Sequence, residues 1–244
     1  MSPKRRVALM TGLFAAFGLG VSAAIIAAGG GFAGQGGSLL DPPNADDIWV
    51  VGSNIQDGTT LEYSVNAKGP SSALVSAIVT TSFKEAGDDW NVTFNVKNNT
   101  NGDNNSAGIT KTIVMSKELT REGELDPEFV PYFEPIQNSI LAVRDMEYGD
   151  SPKYLVVGAP WNTIFVGSSS TTVRVTSEEE VQTGAGTFDS FVLGYQLKDQ
   201  TSKIWMVDTM PLPVKAQTYD EQDQPYYSFE LLRASGISSG EEPL

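Results

Sequence analysis

Residues Val7 to Ala28 carry no charge over 22 positions, and Lys4, Arg5 and Arg6 stand directly before them. As a helix rising 1.5 Å per residue, that stretch reaches about 33 Å, against a hydrocarbon core of roughly 30 Å. It is expected to span a bilayer. The three basic residues favour the cytoplasmic side, which sends residue 29 onward out of the cell as a single-pass, N-in and C-out chain of the cell membrane. A cleaved signal peptide is the alternative, since Gly31-Phe32-Ala33 reads as a small-residue cleavage site. Its apolar region, however, should run to only about 7 to 15 residues.

Along the span, Gly12, Ala16, Gly20 and Ala24 recur every fourth residue, continuing the series of Ala8 and Ala28. Small side chains on one helical face let a second helix approach closely, so a transmembrane helix partner is a candidate beside the bilayer itself. Half of the span is Ala, Gly or Ser, and such a phase also arises by chance. Beyond it the chain divides into a Gly- and Pro-rich linker over 29–43, a β-rich extracytoplasmic domain over 44–233 and a Gly/Ser-rich acidic tail over 234–244, expected to be disordered. Ile48-Trp49-Val50-Val51 opens the domain as an edge strand or a plug.

Composition removes several chemistries. The formal charge is −14, and setting aside Lys4, Arg5 and Arg6 leaves −17 for the remainder. An acidic body with scattered Lys and Arg repels nucleic acid. There is no Cys and no His. That excludes disulfides, thiolate metal sites, Cys nucleophiles and Ser-His-Asp or zinc hydrolysis. No catalytic residue, metal or cofactor is assigned.

Period-two alternation dominates the domain. Leu61, Tyr63 and Val65 alternate with Glu62, Ser64 and Asn66, and Trp90, Val92, Phe94 and Val96 alternate with Asn91, Thr93, Asn95 and Lys97. Both stretches read as half-buried strands. Ala73 to Phe83 is apolar in both registers and turns into the next strand through Glu85-Ala86-Gly87-Asp88. Ile109 to Met115 is a further strand, after the loop Asn98 to Ser106. Asn91, Asn98 and Asn104 each open an acceptor pattern for N-glycosylation. Asp103 alone cannot supply a calcium site among those asparagines.

One soluble helix is expected. Asp126-Pro127 resembles an N-cap with proline at the first helical position, and Phe129, Phe133, Ile136, Ile140 and Val143 recur at helical spacing. Pro131 and Pro135 bend its start, so the regular part runs from about Pro135 to Met146 and packs on the sheet. Strands then follow one another as an antiparallel meander: Tyr154–Val157, Asn162–Val166, Thr171–Val181, Thr187–Leu197, Lys203–Thr209, Leu212–Tyr219 and Tyr226–Leu232. Phe191, Leu193 and Tyr195 fall on one face and Phe188 and Val192 on the other, with Trp205 opposed to Ile204 and Met206. Something must cover the second face.

Gly186-Thr187-Phe188, Lys203-Ile204-Trp205-Met206-Val207-Asp208 and Met210-Pro211-Leu212-Pro213-Val214-Lys215-Ala216 resemble, over Val173 to Leu232, secreted half-barrel domains of the lipoprotein-carrier type and related exported domains. The resemblance implies an antiparallel sheet curled around a helix, with a concave apolar face that in the carriers holds lipid chains. It transfers no catalytic residue. The expected class is thus mainly β (α+β), a curled antiparallel sheet or half-barrel with one packed helix, preceded by a transmembrane helix.

Trp161, Phe188, Phe191, Tyr195, Trp205 and Met206 are the candidates for lining an apolar ligand cavity, with ordinary core packing as the plain alternative. Glu178, Glu179 and Glu180, with Asp220, Glu221 and Asp223, could form an acid–base pair only if buried. Solvated loop charge is the simpler account. The functional expectation is therefore a membrane-anchored binding or accessory protein of the cell envelope, not an enzyme, holding an apolar ligand or docking to a membrane complex. A carboxylate-dependent hydrolase of surface glycan and a purely structural spacer are the alternatives.

Overall fold

Alternation of apolar and polar residues is realised as strands throughout the computed structural model, which describes residues 48–68, 74–98, 108–120, 126–127, 129–130, 132–133, 153–166 and 169–237. The span at 7–28 with Gly12, Ala16, Gly20 and Ala24, the linker at 29–43, Asn104 and the predicted helix from Pro135 lie outside these residues. The strands are β1 (Ile48–Trp49), β2 (Ile55–Lys68), β3 (Leu74–Ala86), β4 (Asp89–Asn98), β5 (Ile109–Ser116) and β6 (Lys153–Tyr154). They continue with β7 (Pro160–Val166), β8 (Ser169–Thr183), β9 (Gly186–Gln196), β10 (Thr201–Met206), β11 (Lys215–Tyr219) and β12 (Pro225–Ile237). Ten of them form one antiparallel sheet in the order β5-β4-β3-β2-β12-β11-β10-β9-β8-β7, and β1 pairs with β6. Two meanders, β2 to β5 and β7 to β12, are thereby joined at the pairing of β2 with β12.

Register separates the two faces. Ala77, Val65, Phe229, Ala216, Ile204, Leu193 and Val175 stand opposite one another across β3, β2, β12, β11, β10, β9 and β8. All seven are buried. Beside this row, Val96, Val79, Tyr63 and Leu231 form a second apolar one. One residue of slip would turn every one of these side chains to water, which is why the register is unique.

The described part of the segment after β5 makes a single helical turn, in which Phe133 N–H donates to the Phe129 carbonyl at 3.2 Å. Phe129 and Phe133 bury their rings against Phe94, with centroids 5.5 and 5.1 Å away. Asp126 forms an ion pair with Lys111. Lys111 lies on the inward parity of β5, the last strand of the sheet, and an inward charge there discourages pairing with another chain.

Two predicted strands end early. Lys203–Thr209 stops as β10 at Met206, and Leu212–Tyr219 starts as β11 only at Lys215. Pro211 and Pro213 have no N–H to give a ladder, so residues 207–214 leave the sheet. They nevertheless bury Val207, Met210, Leu212 and Val214. Several of their carbonyls are met by donors from distant parts of the chain. Trp49 Nε1 donates to Met210 O at 3.1 Å, Gly52 N to Pro211 O at 3.0 Å and the Tyr63 hydroxyl to Pro213 O at 3.2 Å. Leu231 N donates to Val214 O at 2.8 Å. The run at Ile48–Val51 thus both pairs at an edge, as β1, and plugs the sheet.

The sheet also curls. The β8–β9 hairpin overhangs β10 and reaches β12, where Ala185 N donates to Leu231 O at 3.1 Å. A Cβ on Gly184 would stand 2.9 Å from Leu232 Cδ2 and 3.1 Å from Leu232 Cα, so only glycine permits this approach. β12 itself runs to Ile237, pairing Ala234 with Leu61 and Ser235 with Thr60. The first four residues of the expected disordered tail therefore belong to the sheet, because the long N-terminal half of β2 offers them a ladder.

Removing a donor from the loop at 207–214 strands a buried carbonyl. Trp49→Phe and Tyr63→Phe should each lower the unfolding free energy by about 1–2 kcal/mol, seen as a lower urea midpoint with unchanged slope. Asn54→Gly, which removes an exposed bond to Thr209 O and suits the left-handed backbone there (φ 65°), should cost less than about 0.5 kcal/mol.

Candidate functional site

The outer face of the sheet carries the complementary rows. Ser76, Asn66, Ser228, Gln217 and Lys203 stand in register across β3, β2, β12, β11 and β10. The next row is Ile78, Ser64, Glu230, Lys215 and Trp205. Where β2, β12 and β11 meet, these rows line a groove of about 550 Å³. Its lining combines Ser64, Asn66, Gln217, Ser228, Lys215 and Glu230 with the apolar groups of Pro225, Tyr227, Phe229 and Leu232.

Charges around the groove are paired. Lys215 Nζ lies 3.3 Å from Glu230 Oε2, and Glu230 Oε1 also accepts the Gly184 N–H at 3.1 Å. Trp205 Nε1 donates to Glu179 Oε1 at 2.6 Å, and Lys203 approaches Glu179 Oε2 at 3.8 Å. Lys203 and Lys215 flank the Trp205 ring at 5.7 and 5.9 Å. Their stems leave the ring only 7 % exposed. Two lysine stems and the curled hairpin are thus what covers the second apolar face. By contrast, Ser64, Asn66 and Ser228 have no side-chain hydrogen-bond partner among the described residues, and Gln217 gives one bond to the Tyr219 hydroxyl at 2.6 Å.

The six residues expected around an apolar cavity divide between the faces. Phe191, Tyr195 and Met206 share the inner parity with Leu193 and Ile204, whereas Phe188 and Trp205 take the outer parity with Val192. Trp161 packs on Trp49 at 5.8 Å and donates its N–H to Tyr154 O at 2.7 Å. Met206, Trp161, Trp205 and Tyr195 are buried, and Phe188 and Phe191 pack on the same core. Burial pushes the Tyr63 and Tyr195 phenols up, so both remain neutral donors.

Glu178, Glu179 and Glu180 lie within β8 rather than in a loop. Asp220 and Asp223 bind turns. Asp220 accepts the N–H groups of Gln222 and Gln224 at 3.0 and 2.9 Å and pairs with Lys68 at the end of β2. Asp223 accepts those of Asp199 and Gln200 at 3.0 and 2.9 Å, across the β9–β10 turn. The Lys68 ammonium, followed by backbone N–H groups, holds the Asp220 carboxyl below its ordinary value; the Gln200 and Asp199 N–H groups do the same for Asp223. Lys215 and Ser190 are not a nucleophile pair, since Ser190 Oγ donates to Glu179 O at 2.6 Å. No group of three or more acidic residues placed to hold a metal occurs among the described residues. Asn91 sits within β4, half-buried between Lys84 and Val114, and Asn98 closes that strand.

The candidate site is therefore a groove of mixed lining on a curled antiparallel sheet, in which hydroxyl and amide side chains stand beside the Lys215–Glu230 ion pair and the apolar groups of Tyr227, Phe229 and Leu232. No family model and no curated protein matches the chain. Among solved structures, the chain is similar to a protein assigned as exported, with a YmcC-like fold, from Bacteroides fragilis NCTC 9343 (10% identity, TM-score 0.35, 77% of this chain and 98% of that one). It is similar to a protein assigned as a lipoprotein from Parabacteroides distasonis ATCC 8503 (12% identity, TM-score 0.35, 77% and 99%). It is also similar to MucB (12% identity, TM-score 0.37, 79% of this chain and 56% of that one). At these scores the likeness assigns neither family nor function.

Asp220 and Asp223 stabilise the fold while ionised, because their folded pKa values lie below the unfolded one. Their contribution is complete above the ordinary carboxylate pKa of about 3.9 and is lost as pH falls through the depressed folded values. Asp220→Asn and Asp223→Asn should lower the urea midpoint at neutral pH, and the difference from wild type should vanish in acid below the folded pKa values. A difference independent of pH would contradict this assignment.

Proposed function

We propose that this protein is a single-pass, outward-facing binding or accessory protein of the cell envelope, which works by docking rather than by catalysis. The observation that carries the reading is the uncharged span Val7–Ala28 behind three basic residues, which tethers an acidic β domain beyond a Gly-rich linker. Docking is favoured over catalysis because Asp220 and Asp223 are engaged in turns, Glu179 and Glu230 with a lysine and a hydrogen-bond donor each. Docking is favoured over storage of an apolar ligand because Met206 and Trp205, the centre of the expected lining, point to opposite faces and are each buried in packing. The groove over β2, β12 and β11 is the surface best suited to a partner.

The test is topological. In intact cells the protein should remain in carbonate-washed membranes, and a membrane-impermeant amine reagent should label Lys203 and Lys215 without permeabilisation. Recovery from the soluble fraction, or labelling only after lysis, would overturn the reading.

A further inference from the structure

We propose that two copies of this chain join through their β5 strands into one continuous sheet. β5 ends the ten-stranded sheet, and its free side is open. Ser116 turns both of its backbone groups into the turn that follows, its N–H donating to Thr120 O and its carbonyl accepting from Leu119 N, each at 2.9 Å. Alternate residues of an antiparallel strand direct N–H and C=O to the same side, so Val114, Thr112 and Thr110 also present theirs away from β4. No strand pairs with that side among the described residues. All three side chains are exposed. From Ile109 to Val114 every residue but Lys111 is β-branched, and the strand holds no Pro, no Gly and no register shift against β4.

The opposite end of the sheet is protected. β7 opens with Pro160, shifts register between Pro160 and Asn162, and gives its Trp161 carbonyl to the Lys153 ammonium. Proline and a bulge are the usual devices for blunting an edge. A sheet open at one end only joins once and stops. The product is a closed two-fold dimer, not a filament.

The occupant is a second copy because β5 complements itself. With the strands antiparallel and Thr112 on the two-fold axis, Thr110 stands opposite the partner's Val114 and Thr112 opposite the partner's Thr112. On the inner face Ile109 meets the partner's Met115, and Lys111 meets the partner's Ile113. Cross-strand pairs of β-branched residues stabilise such a ladder. Lys111, the guard of this edge, acts by choosing the register. Centred on Lys111, the strands would set two ammonium groups directly opposite each other, and centred on Ile113 they would run onto Ser116, whose backbone groups are already engaged. Centred on Thr112, each Lys111 faces an aliphatic side chain, keeps Asp126 as its counter-ion and lies about 7–8 Å from the partner's Lys111 on the diagonal. The span expected at 7–28 would hold both copies in one membrane and raise their effective concentration, a contribution that rests on the tethered reading above.

The test is the oligomeric state of the full chain in detergent micelles, measured by light scattering behind size exclusion. A dimer is expected. Val114→Lys puts a like charge beside the axis at an exposed position, and Thr112→Pro removes a free N–H; each should raise the dimer dissociation constant at least tenfold. Because the chain has no Cys, Thr112→Cys supplies a lone thiol on the axis, where the Cα separation of about 5.5 Å suits a disulfide. Mild oxidation should link that variant into dimers, whereas Asn95→Cys, exposed on β4, should stay unlinked. A monomeric wild type, a dimer indifferent to Val114→Lys, or equal linking of the two cysteine variants would overturn the proposal. A monomer that still resists carbonate washing refutes the pairing alone, and a dimer recovered from the soluble fraction refutes the tether alone.

Discussion

A loop whose buried carbonyls need donors is the constraint on which the rest of this sheet depends. Between β10 and β11, residues 207–214 contribute Val207, Met210, Leu212 and Val214 to the core, yet Pro211 and Pro213 cannot make ladder bonds. A backbone carbonyl buried without a partner costs about 1–3 kcal/mol, so the loop can be interior only if other elements supply N–H or O–H groups. Those groups come from the first and last strands of the domain: Trp49 and Gly52 at its start, Tyr63 on β2 and Leu231 on β12. The loop is thereby the place where the two meanders are made to agree.

That arrangement explains why the chain ends must meet. The pairing of β2 with β12 closes nearly the whole domain as a loop, an entropic cost that rises only slowly with length once it has to be met at all. The return comes from the inner rows, which run unbroken from β3 to β8 only when this pair is in register. Folding of the domain should therefore be limited by this long-range contact rather than by its hairpins. The outer groove appears at the same moment, since Asn66 and Ser228 belong to opposite ends of the domain and become neighbours only there.

Much of this was legible in the residues themselves. Alternation at Leu61–Asn66 and Trp90–Lys97 located β2 and β4, and Gly87-Asp88 located their neighbour's turn. The opposed parities of Phe191 and Phe188, and of Met206 and Trp205, follow from a period of two and appear in the register. Three things were not legible. Residues 207–214 look like the continuation of flanking strands, because apolar composition cannot distinguish a ladder from a buried loop with side-chain donors far away in sequence. The groove was invisible because its members are unremarkable singly, and only the β2–β12 register lines them up. Glu178–Glu180 read as loop charge for the same reason: the bulge between Val175 and Ser177 that carries Glu179 to Trp205 leaves no mark in composition.

The two faces then divide the work. The inner face is consumed by packing: its rows are apolar across seven strands, and the Phe129–Phe133 turn stacks on Phe94. A partner arriving from outside would have to displace core side chains worth about 1.5–3 kcal/mol each, which no weak ligand can do. The outer face can be used without that cost, because Trp205 is already roofed by Lys203 and Lys215, and Glu179 and Glu230 are already paired. What is left exposed over β2, β12 and β11 includes the hydroxyl and amide groups of Ser64, Asn66, Ser228 and Gln217 beside the Tyr226 ring. A domain built in this way keeps its apolar rows and its open polar row on opposite sides of one sheet, so that changes at Asn66, Gln217 and Ser228 leave the buried rows in place.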